Sequence, residues 1–222
     1  MDKKIQKILE DTGALKKGHF KLSSGLHSQF YLQCALVLQH PEYAETLGQE
    51  LAEKVRYKIK GRKVNAVISP ALGGVIIGHE VARALKVKAI FAERVEGKFT
   101  LRRGFDIMPG EKMLVVEDVV TTGGSSKEIG ELVESRGGQV VAYAAICDRS
   151  GEAIDFGQAL LKQKAKEMGI DYKISPKRIS ENRLKKPFAS LWKFNFKNYQ
   201  PEECPLCQKK IPIYAPGSRY NK

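Results

Sequence analysis

Twelve residues from Val115 to Ser126, VVEDVVTTGGSS, combine groups that rarely meet without a chemical reason. Glu117 and Asp118 interrupt an apolar run, and a buried carboxylate is costly unless something donates to it. Thr121, Thr122, Gly123, Gly124, Ser125 and Ser126 follow. Glycines let backbone close around a ligand, and successive amides at a helix N-terminus cradle an anion. Hydroxyls add further donors. Carboxylates repel phosphate, so the two acids should face vicinal hydroxyls, as on a ribose, or a hydrated divalent cation. A second apolar run ends in the same way, ISPALGG over 68–74, where Gly73 and Gly74 suit a second anion. A ligand with a diol between two phosphate groups satisfies both loops. The alternative is a structural loop whose acids cap the helix after it. The segment is neither GxxxxGK[ST] nor GxGxxG, and no GxSxG elbow supports a serine hydrolase.

Such loops need rigid elements to hold them. From residue 64 the chain reads strand, loop, helix, repeatedly: NAVISP, ALGG, VIIGHEVARALK; then VKAIFAER; then KMLVVEDVV, TTGG, SSKEIGELVESRG; then GQVVAYAAICDRS. Unbroken apolar strands alternating with helices predict a parallel sheet covered on both faces, with ligands at the carboxyl ends of its strands. Residues 3–15 suit a first helix, residues 18–38 short strands joined by a turn, and residues 41–58 a helix with Leu47, Leu51 and Val55 on one stripe. Residues 95–110 read as a long polar and basic link. The segment 158–186 carries nine basic and three acidic residues and reads as a helix and linker, followed by a strand in PFASLWKFNF. We expect a core over 1–157, a basic insertion over 158–186, and a terminal strand and tail over 187–222.

The chain has 222 residues, 42% hydrophobic and 28% charged, a composition that folds around a core. No apolar run is long enough for a membrane helix, and the start is charged, so a cytoplasmic location is expected. The net charge of +13 suits polyanionic partners, but its lysines are widely spread and read as a solvated surface. Four cysteines make no secreted disulfide framework. Cys34 and Cys147 lie in apolar runs as core residues. Cys204 and Cys207 have zinc-knuckle spacing, but a structural site needs two more ligands and all four histidines lie far upstream. The reading is a tail with two unligated thiols and no metal site in the chain. A zinc shared across a dimer and a redox pair are the alternatives. His27 and His19 lie near the base-binding segment argued below.

At VVEDVVTTGGSS the sequence resembles the type I phosphoribosyltransferases. With FKLSSGLHSQFYLQ, SPALGG, AIFAERVEGKFTLRRGF, CDRSG and the EECPLC…IPIYAPGSR tail, it resembles their orotate-specific branch. The resemblance implies an α/β fold, an open, mostly parallel twisted sheet flanked by helices with a small hood. It implies that Glu117 and Asp118 hold the ribose hydroxyls of phosphoribosyl pyrophosphate. Val119 and Val120 belong to the same donor-binding run, and Thr121, Thr122, Gly123, Gly124 and Ser125 cradle the 5-phosphate. Ala71, Leu72, Gly73 and Gly74 line the pyrophosphate side, where the family often has a non-proline cis peptide, and Arg94 contacts pyrophosphate. Thr121 and Arg149 hold orotate, with Ser23, Phe30 and Tyr31 in the segment that covers the base. Lys98, Arg102 and Arg103, on the link 95–110, are the catalytic anion-binding residues of a mobile loop. Magnesium (Mg2+) and a homodimer are implied, the loop reaching the neighbouring subunit.

This chain departs from many relatives. Ser23 and Leu72 stand where lysines are common, and Thr100 lies near a common histidine position. The segment 158–186 is an insertion. The expected function is transfer of a phosphoribosyl group to orotate, in pyrimidine (UMP) synthesis, with small-molecule substrates and neither nucleic acid nor membrane as partner. Transfer to another base and a non-catalytic, nucleic-acid-binding sensor of the donor remain alternatives.

Overall fold

A computed structural model describes residues 3–22, 25–121, 123–149, 186–193 and 198–216. Two sheets organise them. The larger has six strands: β3 (Ala66–Pro70), β4 (Lys88–Val95), β5 (Lys98–Leu101), β6 (Lys112–Val120), β7 (Gln139–Asp148) and β8 (Phe188–Lys193), in the order β5-β4-β3-β6-β7-β8. All neighbours are parallel except β4 and β5. The smaller sheet is antiparallel: β1 (Leu15–Lys21), β2 (His27–Leu32) and β9 (Asn198–Tyr199), in the order β1-β2-β9. Among the described residues, no helix is long and apolar enough to cross a membrane.

Both faces of the large sheet are buried, which explains its unbroken apolar strands. Along β6, Leu114 and Val116 join a core with α3 (Pro41–Ile59) and α4 (Gly73–Leu85), while Met113 and Val115 join another with α5 (Gly124–Ser135). The two-residue period of a strand makes that division. Helix α3 begins with Pro at its first position and ends at Lys60 in the left-handed conformation. Its Leu47, Leu51 and Val55 are fully buried, each burial favouring the fold by roughly 1.5–3 kcal/mol. Helix α1 (Lys3–Asp11) buries Ile5 and Leu9 on that same side.

The link after β4 differs from its expected form. Residues 98–101 are β5, paired antiparallel with β4 from Val95↔Lys98 to Ala92↔Leu101. Glu96 and Gly97 both have positive φ, which is the backbone of a two-residue hairpin turn. Phe99, Leu101 and Phe105 pack on the α5-side core and Ile107 is buried in it. Those apolar side chains hold to the sheet a segment whose charges suggest a free link. The calls on Ser23 and Thr122, and those on the insertion up to residue 185, lie outside the described residues.

Candidate active site

Three strand ends build the site. Strand β6 ends at Val120, and the loop after it leads into α5. Gly123 caps that helix with φ 76°, a conformation that glycine adopts without the penalty a side chain brings. Thr121 is exposed at the turn. Val119 packs on one core and Val120 is buried in the other. Strand β3 ends at Pro70, and the Ala71–Leu72 peptide is cis before α4 begins. The Ala71 amide donates to Ala92 O at 2.8 Å, and the Leu72 side chain projects into solvent. Strand β7 ends at Asp148, and the Arg149 amide donates to Val120 O at 2.8 Å.

The two acids differ in setting. Glu117 is buried, accepts a hydrogen bond from the Ser126 hydroxyl, and interacts with Ser125. Burial is the main reason its pKa rises from 4.5 to about 7; the serines oppose the rise and Asp118 adds to it. Asp118 also rises, through burial, against the pull of the Val119 amide, which donates to its Oδ1 at 2.9 Å. Asp118 reaches the other loop as well. A methyl group placed on Gly73 would lie 2.8 Å from its Oδ2. Asp118 and the start of α4 are therefore in close contact. Ser126, grouped by sequence with the phosphate hydroxyls, is instead buried against Glu117. Its place on the buried side of the first turn of α5 decides this.

Arg149 is shielded enough that burial lowers its pKa, and it lies within electrostatic reach of Tyr31, Cys147 and Cys34. A guanidinium stays charged in such a setting. Tyr31 rises in pKa through burial, with Arg149 opposing. Its ring packs on Phe20 at 5.6 Å, and Phe20 meets Tyr214 of the tail at 6.4 Å. Tyr214 was not singled out by sequence. Phe30, its neighbour on β2, packs on the core instead, because successive strand residues point to opposite faces. Thus Tyr31 joins Arg149 and Phe30 does not. Cys34 and Cys147 are buried, as their apolar surroundings predict.

The basic residues of the hairpin stand further out. Arg94 pairs with Glu128 at 2.9 Å and lies 4.1 Å over the Phe99 ring. Arg103 pairs with Glu93 at 2.6 Å. Neither Lys98 nor Arg102 has an ion pair among the described residues. Lys98 borders a groove of about 600 Å³ shared with Gly124, Lys127 and Glu128 of α5. The tail corrects the expectation of two unaccompanied thiols. Cys204 and Cys207 lie against His19 and His27, on β1 and β2. Folding the hairpin closes the sequence gap that made the histidines look remote.

Two glycine-bearing loops beside paired acids, at the strand ends of a parallel sheet, form the layout expected of a phosphoribosyl transferase. The family pattern described as "Phosphoribosyl transferase domain" matches residues 37–156. The orotate phosphoribosyltransferase of Carboxydothermus hydrogenoformans is 49% identical over 216 residues, covering 97% of each chain. That of Thermotoga maritima is 46% identical over 215 residues, covering 97% of this chain and 98% of its own. Among solved structures, orotate phosphoribosyltransferase from Aeropyrum pernix has the same fold, with TM-score 0.61 at 24% identity, covering 86% of this chain and 93% of that one. The chain belongs to the orotate phosphoribosyltransferase family.

Proposed function

We propose that this protein transfers the 5-phosphoribosyl group of phosphoribosyl pyrophosphate to orotate, giving orotidine 5′-phosphate and pyrophosphate, within pyrimidine synthesis. The observation that carries the reading is the contact between Asp118 and Gly73, which brings a diol-binding acid against one anion loop while Glu117 adjoins the other. Glu117 and Asp118 accept hydrogen bonds from the ribose hydroxyls. Backbone amides and hydroxyls over 121–125 hold the 5-phosphate, with α5 aimed at it. The amides over 71–74 face the pyrophosphate. As the anomeric carbon loses pyrophosphate it acquires oxocarbenium character, and the orotate nitrogen forms the new bond. Arg94, Lys98, Arg102 and Arg103 offset the charge that develops on the leaving group. Arg149 pairs with the orotate carboxylate, and Tyr31 covers the base beside it.

The donor set suits Mg2+, which takes oxygen ligands and commonly binds through one or two carboxylates together with substrate phosphates. Asp118, a carboxylate beside the pyrophosphate loop, is the residue that would hold it, directly or through water. Bound there, the ion would supply positive charge to the departing pyrophosphate. We also assign the working unit as a homodimer.

The purified protein, with Mg2+ and phosphoribosyl pyrophosphate, is expected to consume orotate in preference to adenine, xanthine or uracil, followed by ultraviolet absorbance. Unchanged orotate alongside turnover of another base overturns the specificity. Arg149→Ala should raise KM for orotate at least tenfold, the loss of about 1.4 kcal/mol or more expected for a charged hydrogen bond. KM for the donor should move far less; equal weakening of both removes Arg149 from the base site.

A further inference from the structure

We infer that His19, His27, Cys204 and Cys207 form a tetrahedral zinc site that fastens the C-terminal tail to the hood sheet. The four ligand atoms all lie within 4.8 Å of one another. His19 Nε2 is 3.1 Å from His27 Nδ1, 3.5 Å from Cys204 Sγ and 3.7 Å from Cys207 Sγ. Cys207 Sγ is 3.3 Å from His27 Nδ1. With Zn–N near 2.05 Å and Zn–S near 2.3 Å, a tetrahedron has edges of about 3.3 Å between nitrogens and about 3.6 Å from nitrogen to sulfur. These four spacings match those edges, and Cys204 Sγ lies within 4.8 Å of the remaining two ligand atoms.

The proton arrangement points the same way. His19 Nδ1 lies 2.8 Å from Ile211 O, a carbonyl that can only accept, so Nδ1 carries the hydrogen. A neutral His19 then presents a bare lone pair at Nε2, and one lone pair cannot satisfy three neighbours. A cation at their centre engages all four ligands at once. An imidazole fixed through its other nitrogen by a backbone carbonyl is the usual outer support of a zinc ligand. Two thiols with two imidazoles favour zinc over hard cations such as magnesium or calcium. His19, His27 and Cys204 are buried, while Cys207 is exposed and leaves a way in for the ion.

The local chain is built around this point. His19 lies near the end of β1 and His27 opens β2, paired with Lys21. Cys204 is the N-cap of a single helical turn, α6 (Pro205–Gln208), and Cys207 lies within it. The chain then reverses at Lys210, φ 53°, and runs back along β1: the Tyr214 amide donates to His19 O at 2.8 Å and the Lys21 amide to Tyr214 O at 2.9 Å. Tyr31, on β2, faces Arg149 from this same sheet. The cluster shares no residue with the strand ends that carry the acids, and its existence does not depend on which base is used.

The test uses the full chain, purified reduced and without added chelator. Elemental analysis is expected to find one zinc per chain. After zinc removal, titration with Co2+ should produce thiolate-to-cobalt charge-transfer absorption and the visible bands of a tetrahedral ion, saturating at one equivalent. Cys207→Ser should lose the bound zinc and the thiolate band, and zinc removal should lower the melting temperature of the unsubstituted protein. Three outcomes overturn the inference: no stoichiometric zinc together with no tetrahedral cobalt spectrum, zinc retained in full by Cys207→Ser, or a Cys204–Cys207 disulfide in freshly purified protein. The cobalt titration needs no variant, so a misfolded substitution does not remove the test.

Discussion

Glu117 has two opposed duties. As the proposed acceptor of sugar hydroxyls it serves best as a carboxylate, yet burial raises its pKa from 4.5 to about 7. Between those values the folded chain holds a proton that the unfolded chain has lost. Stability from this group is therefore highest at low pH, falls as pH rises from about 4.5, and levels off above about 7. The loss amounts to about 3 kcal/mol. Asp118 shifts in the same direction, also through burial, and adds to the trend. A donor that binds the carboxylate form must release this proton, so affinity should rise with pH through neutrality. Glu117→Gln removes the titration while leaving a carbonyl oxygen for Ser126. We expect the variant to melt higher than the unsubstituted protein at pH 8, by more than at pH 5, and to bind phosphoribosyl pyrophosphate more weakly. An unchanged difference between the two pH values, read by thermal denaturation, would show that Glu117 is not the titrating group.

At the scale of elements, the β3–α4 loop and the end of β6 act as one unit because Gly73 leaves no room before Asp118. A methyl group at Gly73 would stand 2.8 Å from Asp118 Oδ2, closer than packed atoms tolerate. Gly73→Ala should displace the acid or the loop, raise KM for the donor at least tenfold, and leave far-ultraviolet circular dichroism unchanged. Donor affinity equal to that of the unsubstituted protein would mean the two loops bind independently. The parallel strands were legible because burial on both faces writes each as an unbroken apolar run, as in β6. The acids and glycines at its end were legible because apolar runs seldom tolerate them. Strand β5 was not. Four residues, Lys98 to Leu101, are too few for a pattern, and Glu96–Gly97 is a weaker turn signal than Asn-Gly or Asp-Gly. The His–Cys cluster was hidden for another reason: its halves come from β1, β2 and a tail near the other end of the chain, and only folding joins them. Likewise, Phe30 and Tyr31 look equivalent in sequence, and only the side of β2 each faces separates them.

For the whole molecule, strand order sets how far the basic hairpin lies from the two acids. Strand β5 is the sheet edge, three strand steps from β6. At the usual spacing that is about 14 Å, while the acids sit at the end of β6 itself. Arg94 and Arg103 pair with Glu128 and Glu93 and would exchange those acids for the leaving group. Lys98 and Arg102, exposed and without ion pairs among the described residues, lie on the edge strand and just beyond it. A two-fold dimer would bring one subunit's hairpin over the other's groove and the reverse, since such interfaces are reciprocal. Complementation separates this arrangement from a self-sufficient site. With orotate held well below KM, Lys98→Ala and Arg149→Ala should each turn over far more slowly alone than the unsubstituted protein. In a mixed dimer with the hairpin acting across the interface, one site gathers both lesions and the other receives an intact Arg149 with an intact partner's Lys98. Co-expressed, differently tagged chains purified as the mixed species should then recover turnover equivalent to one intact site of the two. If each hairpin serves its own groove, every site keeps one lesion and no turnover returns. That result would confine the hairpin to its own subunit and leave the dimer, if present, without a role in charge neutralisation.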